Sequence, residues 1–273
     1  MKSIVTVATL FVGLTPFAAS AQEEEAPGAV TVSGSATIAS DYRFRGVSQS
    51  DENMAIQGGL TVTHASGLYV GTWASNLSGW GTFGGSNMEL DLIAGYKAKL
   101  SDDATLDAGL TWYMYPGGAD DTDFAEPYVK LSGATGPATL TAGVAYAPKQ
   151  YALANVSNAP NSRGQKQDNL YLWGDGALAI AGTPLTAKAH IGYSDGNPGL
   201  GPNGTSVAPT GTYWDWSTGM DATWRNLTFN VSYVDTDISH GDAARLQPNF
   251  SKGQDGNGSV ADATVVASLT AAF

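Results

Sequence analysis

From residue 29 to the end, the chain alternates apolar and polar side chains at a period of two, in blocks of about ten to fourteen residues. Only an extended strand puts successive side chains on opposite faces, so the chain reads as strands almost throughout. In the first block Val30, Val32, Ala36, Ile38, Tyr42 and Phe44 share one face, and Thr31, Ser33, Ser35, Thr37, Asp41 and Arg43 share the other. Further on, Met88, Leu90, Leu92, Ala94 and Tyr96 oppose Glu89, Asp91, Lys97 and Lys99, with Ile93 the exception on the polar face. The pattern predicts about twelve strands, at 30–45, 53–65, 67–77, 87–100, 104–115, 124–133, 137–147, 168–180, 184–194, 212–224, 226–238 and 259–273. Ten or fourteen strands are the alternatives. Tight connections (65–67, 101–103, 134–136, 181–183, 225–226) alternate with longer ones (46–52, 78–86, 116–123, 148–167, 195–211, 239–258). Short turns at one end and longer loops at the other are the arrangement of an outer-membrane barrel. A soluble sandwich has no reason to sort its loops this way. The fold class expected is therefore all-β: a transmembrane antiparallel up-and-down β-barrel.

Charge supports this reading. With each strand's register set by its apolar residues, Asp41, Arg43, Arg45, Glu89, Asp91, Lys97, Lys99, Asp107, Glu126, Lys130, Asp175, Lys188, Asp215, Asp221 and Asp262 fall on the polar face. Asp235 does not, but it lies near a strand end. An Arg or Lys facing lipid at mid-bilayer costs about 2–4 kcal/mol, which a water-filled lumen removes. Aromatic residues (Tyr42, Phe44, Trp112, Tyr113, Tyr115, Tyr146, Tyr193, Trp214, Trp216, Tyr233) gather near the long-loop strand ends, as an interfacial girdle would. Lys plus Arg is 13 against Asp plus Glu 25, a formal net charge of -12, and no basic face is offered to nucleic acid. The absence of cysteine removes disulfides and thiolate sites.

Residues 1–21 read as a secretory signal: Met1-Lys2, an apolar stretch from Ile4 to Phe17, then Ala19-Ser20-Ala21 before Gln22. The stretch is short for a membrane-spanning helix. Residues 22–273 would then be one barrel domain. The last strand places Val265, Ala267, Leu269, Ala271 and Phe273 on one face. Its terminal Phe273 resembles the segment that barrel assembly machinery reads in Gram-negative outer-membrane proteins.

The segment Ser40-Asp41-Tyr42-Arg43-Phe44-Arg45-Gly46-Val47-Ser48-Gln49-Ser50-Asp51, with Ala55-Ile56-Gln57-Gly58-Gly59 and Gly67-Leu68-Tyr69-Val70-Gly71-Thr72-Trp73-Ala74-Ser75-Asn76, resembles the TorF family of proteobacterial porins. That family was earlier labelled only as a conserved protein of unknown function (Gcw). The resemblance implies an outer-membrane, porin-like protein and carries over neither substrate nor catalytic residues.

The expected function is passive or weakly selective diffusion of small hydrophilic solutes through a lumen of roughly 12 Å backbone radius. Its pore-lining charges would be Asp41, Arg43, Arg45, Glu89, Asp91, Lys97, Lys99, Asp107, Glu126, Lys130 and Lys188. Paired with one another, the same charges would instead stiffen the lumen. Asp120, Asp121 and Asp123 would form an acidic constriction if their loop folds inward, and a solvated turn if it stays at the rim. That loop lacks the spacing of an EF-hand, so no metal site is read, and no cofactor is implied. In the loop 148–167, Lys149, Arg163 and Lys166 beside Tyr151 would meet lipopolysaccharide phosphates or anionic solutes. Partners expected are outer-membrane lipid and lipopolysaccharide, the assembly machinery and small solutes, with a homo-oligomer left open. The alternatives are a non-conducting surface-binding or adhesin barrel and, less favoured, a barrel hydrolase. For the hydrolase only His240, with Asp237, Ser239 and Asp242 near it, has carboxylates close in sequence; His64 falls on the apolar face and His190 faces the lumen near Lys188.

Overall fold

The computed structural model describes residues 29–153, 165–198 and 206–273. Fourteen strands are seen: β1 (Val30–Ala39), β2 (Arg43–Phe44), β3 (Val47–Ser48), β4 (Ala55–His64), β5 (Leu68–Asn76), β6 (Met88–Lys99), β7 (Ala104–Met114), β8 (Phe124–Thr135), β9 (Ala138–Gln150), β10 (Gln167–Ala179), β11 (Leu185–Gly196), β12 (Thr212–Trp224), β13 (Leu227–Thr236) and β14 (Thr264–Ala272). Twelve of them form a closed antiparallel barrel, each paired with its sequence neighbour, and β1 closes against β14. Closure runs from Ser35 opposite Ala272 to Ala39 opposite Ser268, leaving no free edge for lipid to meet. The remaining two strands, β2 and β3, pair only with each other.

The outer surface is an apolar belt. Val32, Leu60, Val70, Leu92, Leu110, Val129, Leu140, Leu172, Ile191, Phe229 and Leu269 are all exposed there. Their strand neighbours turn inward and are polar, glycine or aromatic, as period-2 alternation requires in a barrel wall. At the turn end, tight connections join the strands: β4 to β5 through Ala65-Ser66-Gly67, and β12 to β13 through Arg225-Asn226. Gly67 has φ +98, and a Cβ there would lie 2.3 Å from the Lys97 carbonyl oxygen, so only glycine makes that turn.

Inward glycines also make room for rings. Tyr69 lies over Gly95, Tyr128 over Gly109, and Trp173 over Gly143, where a Cβ would come within 2.4, 2.6 and 2.2 Å of those side chains. Each ring lies flat on its neighbouring strand, the glycine-rescue packing of curved sheets.

Three expected elements differ. The first strand ends at Ala39, not residue 45, because Ser40 turns the chain into the barrel. The last begins at Thr264, so Asp262 lies in the preceding loop, where its carboxylate accepts from His240 Nε2 at 2.9 Å. The aromatic set divides. Trp112, Tyr146, Trp214 and Tyr233 are exposed on the outer surface, but Tyr42, Tyr113 and Tyr115 point inward and pack with Leu77, Phe83, Phe124 and Leu153. Aromatic residues favour strand ends on either face, so the residue type alone could not assign the side. The signal-peptide segment and Arg163 lie outside the described residues.

Candidate functional site

At the loop end, the segment between β1 and β4 folds into the lumen as the hairpin β2–β3. Its two-residue turn is Arg45-Gly46, with φ of +50 and +79. Positive φ at both positions marks the primed turn that suits a tight hairpin. The tip crosses to the far wall. Arg45 Nη2 donates to both oxygens of Glu126 on β8 at 2.7 Å. Its guanidinium carbon stands 4.1 Å from the centre of the Tyr171 ring on β10. Asn169, oriented to satisfy both ends of its amide, accepts from Arg45 Nη1 at 2.8 Å. A Cβ at Gly46 would lie 2.4 Å from Thr236 Cγ2 and 3.0 Å from Asp215 Cβ, so the tip is pressed against β12 and β13 as well.

Polar contacts hold the hairpin's stem. Arg43 Nε donates to Asp41 Oδ2 at 2.5 Å, and Arg43 Nη1 donates to the carbonyls of Gly46, Val260 and Asp262. Asp41 Oδ1 accepts from the hydroxyls of Ser48 and Ser50. Tyr42 donates to Glu89 Oε1 at 2.9 Å. Burial first, and the Glu89 carboxylate next, hold the Tyr42 hydroxyl well above its usual range, so it stays a neutral donor. For Arg45, burial alone favours loss of the proton; the Glu126 carboxylate outweighs it, and the net shift is upward. Above the hairpin, the loop between β13 and β14 packs Leu246, Phe250 and Val260 with Val47, Trp80 and Tyr213. Trp80 and Phe250 meet edge to face at 4.6 Å. Hairpin and loop together occupy part of the lumen at the loop end.

Asp41, Arg43 and Arg45 therefore lie inside the barrel, but on the hairpin rather than on a wall strand. Glu89, Asp91, Lys97, Asp107, Glu126, Lys130 and Lys188 face the lumen from the wall. Lys99 does not; its side chain is 69% exposed at the turn-end rim and pairs with Asp102 at 2.9 Å. The Asp120, Asp121 and Asp123 loop stays at the opposite rim with its carboxylates exposed. Asp123 Oδ1 accepts from the Tyr115 backbone N–H at 2.9 Å, which fixes the loop at the strand end. The acidic loop is thus no constriction, and the segment that crosses the lumen is the hairpin.

Deeper in, the charges pair. Lys188 Nζ is 3.2 Å from Asp221 Oδ2, and Lys130 Nζ is 3.5 Å from Asp107 Oδ2. Tyr69 donates to Asp107 Oδ1 at 2.7 Å and is also hydrogen-bonded to Tyr128. His190 sits between two carboxylates: Nδ1 is 2.6 Å from Asp175 Oδ1 and Nε2 is 3.1 Å from Asp215 Oδ1. A carboxylate oxygen thus stands at each ring nitrogen. Tyr171 joins this group, donating to both Asp215 oxygens at 3.2 and 3.1 Å. The His190 group was missed in the sequence, where only neighbours along the chain were weighed. Strand register would have found it, because Asp175 and His190 are direct partners across the β10–β11 turn. His240 pairs with Asp262, and His64 with Ser66, both exposed at the rims.

Among the described residues, the wall turns seven carboxylates inward (Glu89, Asp91, Asp107, Glu126, Asp175, Asp215, Asp221) against Lys97, Lys130, Lys188 and His190. Asp91 Oδ1 is buried with no hydrogen-bond partner. By formal count the wall carries more carboxylates than basic groups, and the Arg45 tip is set among them.

An apolar outer belt, a closed ring of twelve antiparallel strands and a charged interior define a transmembrane antiparallel β-barrel. The chain belongs to the family described as "Bacterial protein of unknown function (Gcw_chp)", whose model matches residues 23–273. No curated protein matches it. Among solved structures it is similar to the KdgM porin in complex with disordered oligogalacturonate, at 8% identity, covering 89% of this chain and 98% of that one, with a TM-score of 0.52. It is also similar to the COG4313 outer membrane channel from Pseudomonas putida F1, at 11% identity, covering 92% of this chain and 97% of that one, with a TM-score of 0.49. At such identities the likeness is one of fold.

Proposed function

We propose that the protein is an exported, outer-membrane porin-like channel of the TorF type, passing small hydrophilic solutes, with the β2–β3 hairpin as its constriction. The observation that carries this reading is the charged lumen wall. Glu126, Asp107, Lys130, Lys188 and Asp221 run charge down the inside of the strands, where an inert anchor needs only small or apolar filling. A wall with more carboxylates than basic groups favours cations over anions. The tight turns and both chain ends would face the periplasm, the longer loops the lipopolysaccharide, and the β14 strand ending in Phe273 would be the segment read during assembly.

A second reading has its own support. The two apolar clusters at the loop end bury Tyr42, Val47, Phe124, Phe250 and Val260 almost completely, as a plugged surface-binding barrel would. Single-channel recording of the refolded residues 22–273 in a planar bilayer under a KCl gradient separates the two. The channel reading expects discrete current steps with a cation-side reversal potential. An inserted barrel that stays silent at every voltage would overturn it in favour of the plugged barrel.

A further inference from the structure

Arg45 occupies a site whose polar groups the wall provides, with Phe44 of the hairpin adding a second ring 4.7 Å from the guanidinium. Glu126 supplies the carboxylate, Tyr171 the ring face, and Asn169 a carbonyl oxygen; the three come from β8 and β10. Asp215 lies behind Tyr171 and accepts its hydroxyl. A carboxylate, an aromatic face and a neutral acceptor around one plane are what a guanidinium requires. The hairpin places its cation there at a local cost. Arg45 is at φ +50, in the left-handed region that glycine and asparagine enter more readily than arginine does. Arginine at this position is explained by its head group and not by the turn.

We propose that this receptacle is the barrel's solute site, selective for guanidinium-bearing and related organic cations, and that Arg45 is its intramolecular occupant. A cationic solute would compete with Arg45 for Glu126 and Tyr171, and displacing the hairpin tip would clear the lumen. The carboxylate-rich wall on both sides of the site supplies attraction for such solutes over anionic ones. The inference rests on the channel reading for its transport meaning, but the site itself is testable without conduction.

The test is calorimetric titration of methylguanidinium chloride into the detergent-refolded Arg45→Ala barrel, with methylammonium chloride and KCl at equal ionic strength as controls. The proposal expects saturable methylguanidinium binding to Arg45→Ala, at least tenfold tighter than to wild type, where the solute must first displace Arg45. Adding Glu126→Gln should weaken binding by about tenfold or more, the worth of a charge-assisted hydrogen bond. Arg45→Met keeps the stem's packing against Phe44 and Tyr171 and replaces the alanine variant if that one does not refold. No saturable binding to a refolded variant, binding that Glu126→Gln leaves unchanged, or equal binding to wild type would each overturn the site. Current recordings on the same variant then separate the two claims. Binding without conduction would sink the channel reading and keep the site; conduction without binding would do the reverse.

Discussion

Arg45 and Lys188 are both buried cations paired with buried wall carboxylates, Glu126 and Asp221. Lys188 is buried against Asp221, which also accepts from Asn230 Nδ2 at 2.6 Å. Replacing Lys188 by Met leaves Asp221 charged and buried, and should cost about 3 kcal/mol in urea unfolding of the vesicle-embedded barrel. Removing Arg45 likewise leaves the buried Glu126 without its cation, so a cost of similar size is expected, while the Arg43 and Asp41 contacts still hold the hairpin stem. The inward glycines make a second residue-scale prediction. Gly143→Val drives a side chain into the Trp173 ring and should destabilise by about 1–3 kcal/mol, with a changed tryptophan emission, in the same unfolding assay. Little of this was visible along the sequence. Period-2 alternation assigns a face, and it correctly turned Glu126, Lys130 and Lys188 inward. It says nothing about which charges meet across strands. Asp175 meets His190 through the β10–β11 register, which the tight turn at 181–183 sets, and Asp215 comes in from β12 two positions along.

At the scale of elements, the twelve barrel strands were legible because one face of each meets lipid. That constraint writes an apolar residue at every second position, and a slip of one would turn the whole strand around. The hairpin was illegible for the same reason. Asp41, Arg43 and Arg45 continue the alternation of β1 without a break, and Arg-Gly is not the Asn-Gly or Asp-Gly pair that announces a primed turn. Inside a barrel, polar alternation no longer distinguishes a wall strand from a segment lying across the lumen. The acidic loop at 117–123 erred the other way, since three aspartates suit a constriction and a solvated rim equally. An element-scale prediction follows from the stem contacts. Asp41→Asn removes the nearer charge partner of Arg43, leaving Glu52 at 3.5 Å, and weakens the acceptor of Ser48 and Ser50. It should raise the protease sensitivity of residues 41–53 while the heat-resistant, compact migration of the barrel in gels persists.

The whole molecule is an apolar cylinder around a charged interior, narrowed at the loop end by its own chain. Leu172 sits midway along β10 on the outer face, and Leu172→Arg should cost about 2–4 kcal/mol of bilayer-dependent stability, read by urea unfolding in vesicles. The narrowing at the loop end is the part of the account that function turns on. Ala39 and Ala55 are direct partners across β1 and β4, so a short Gly-Ser turn can replace residues 41–53 without disturbing any barrel pairing. Single-channel conductance of that variant beside the wild type, in the same bilayer and salt, is the most direct test. A barrel constricted by its hairpin should then give steady currents several-fold larger than wild type, still cation-preferring, with the same heat-resistant migration. A variant that folds and inserts but conducts no better than wild type would contradict the account.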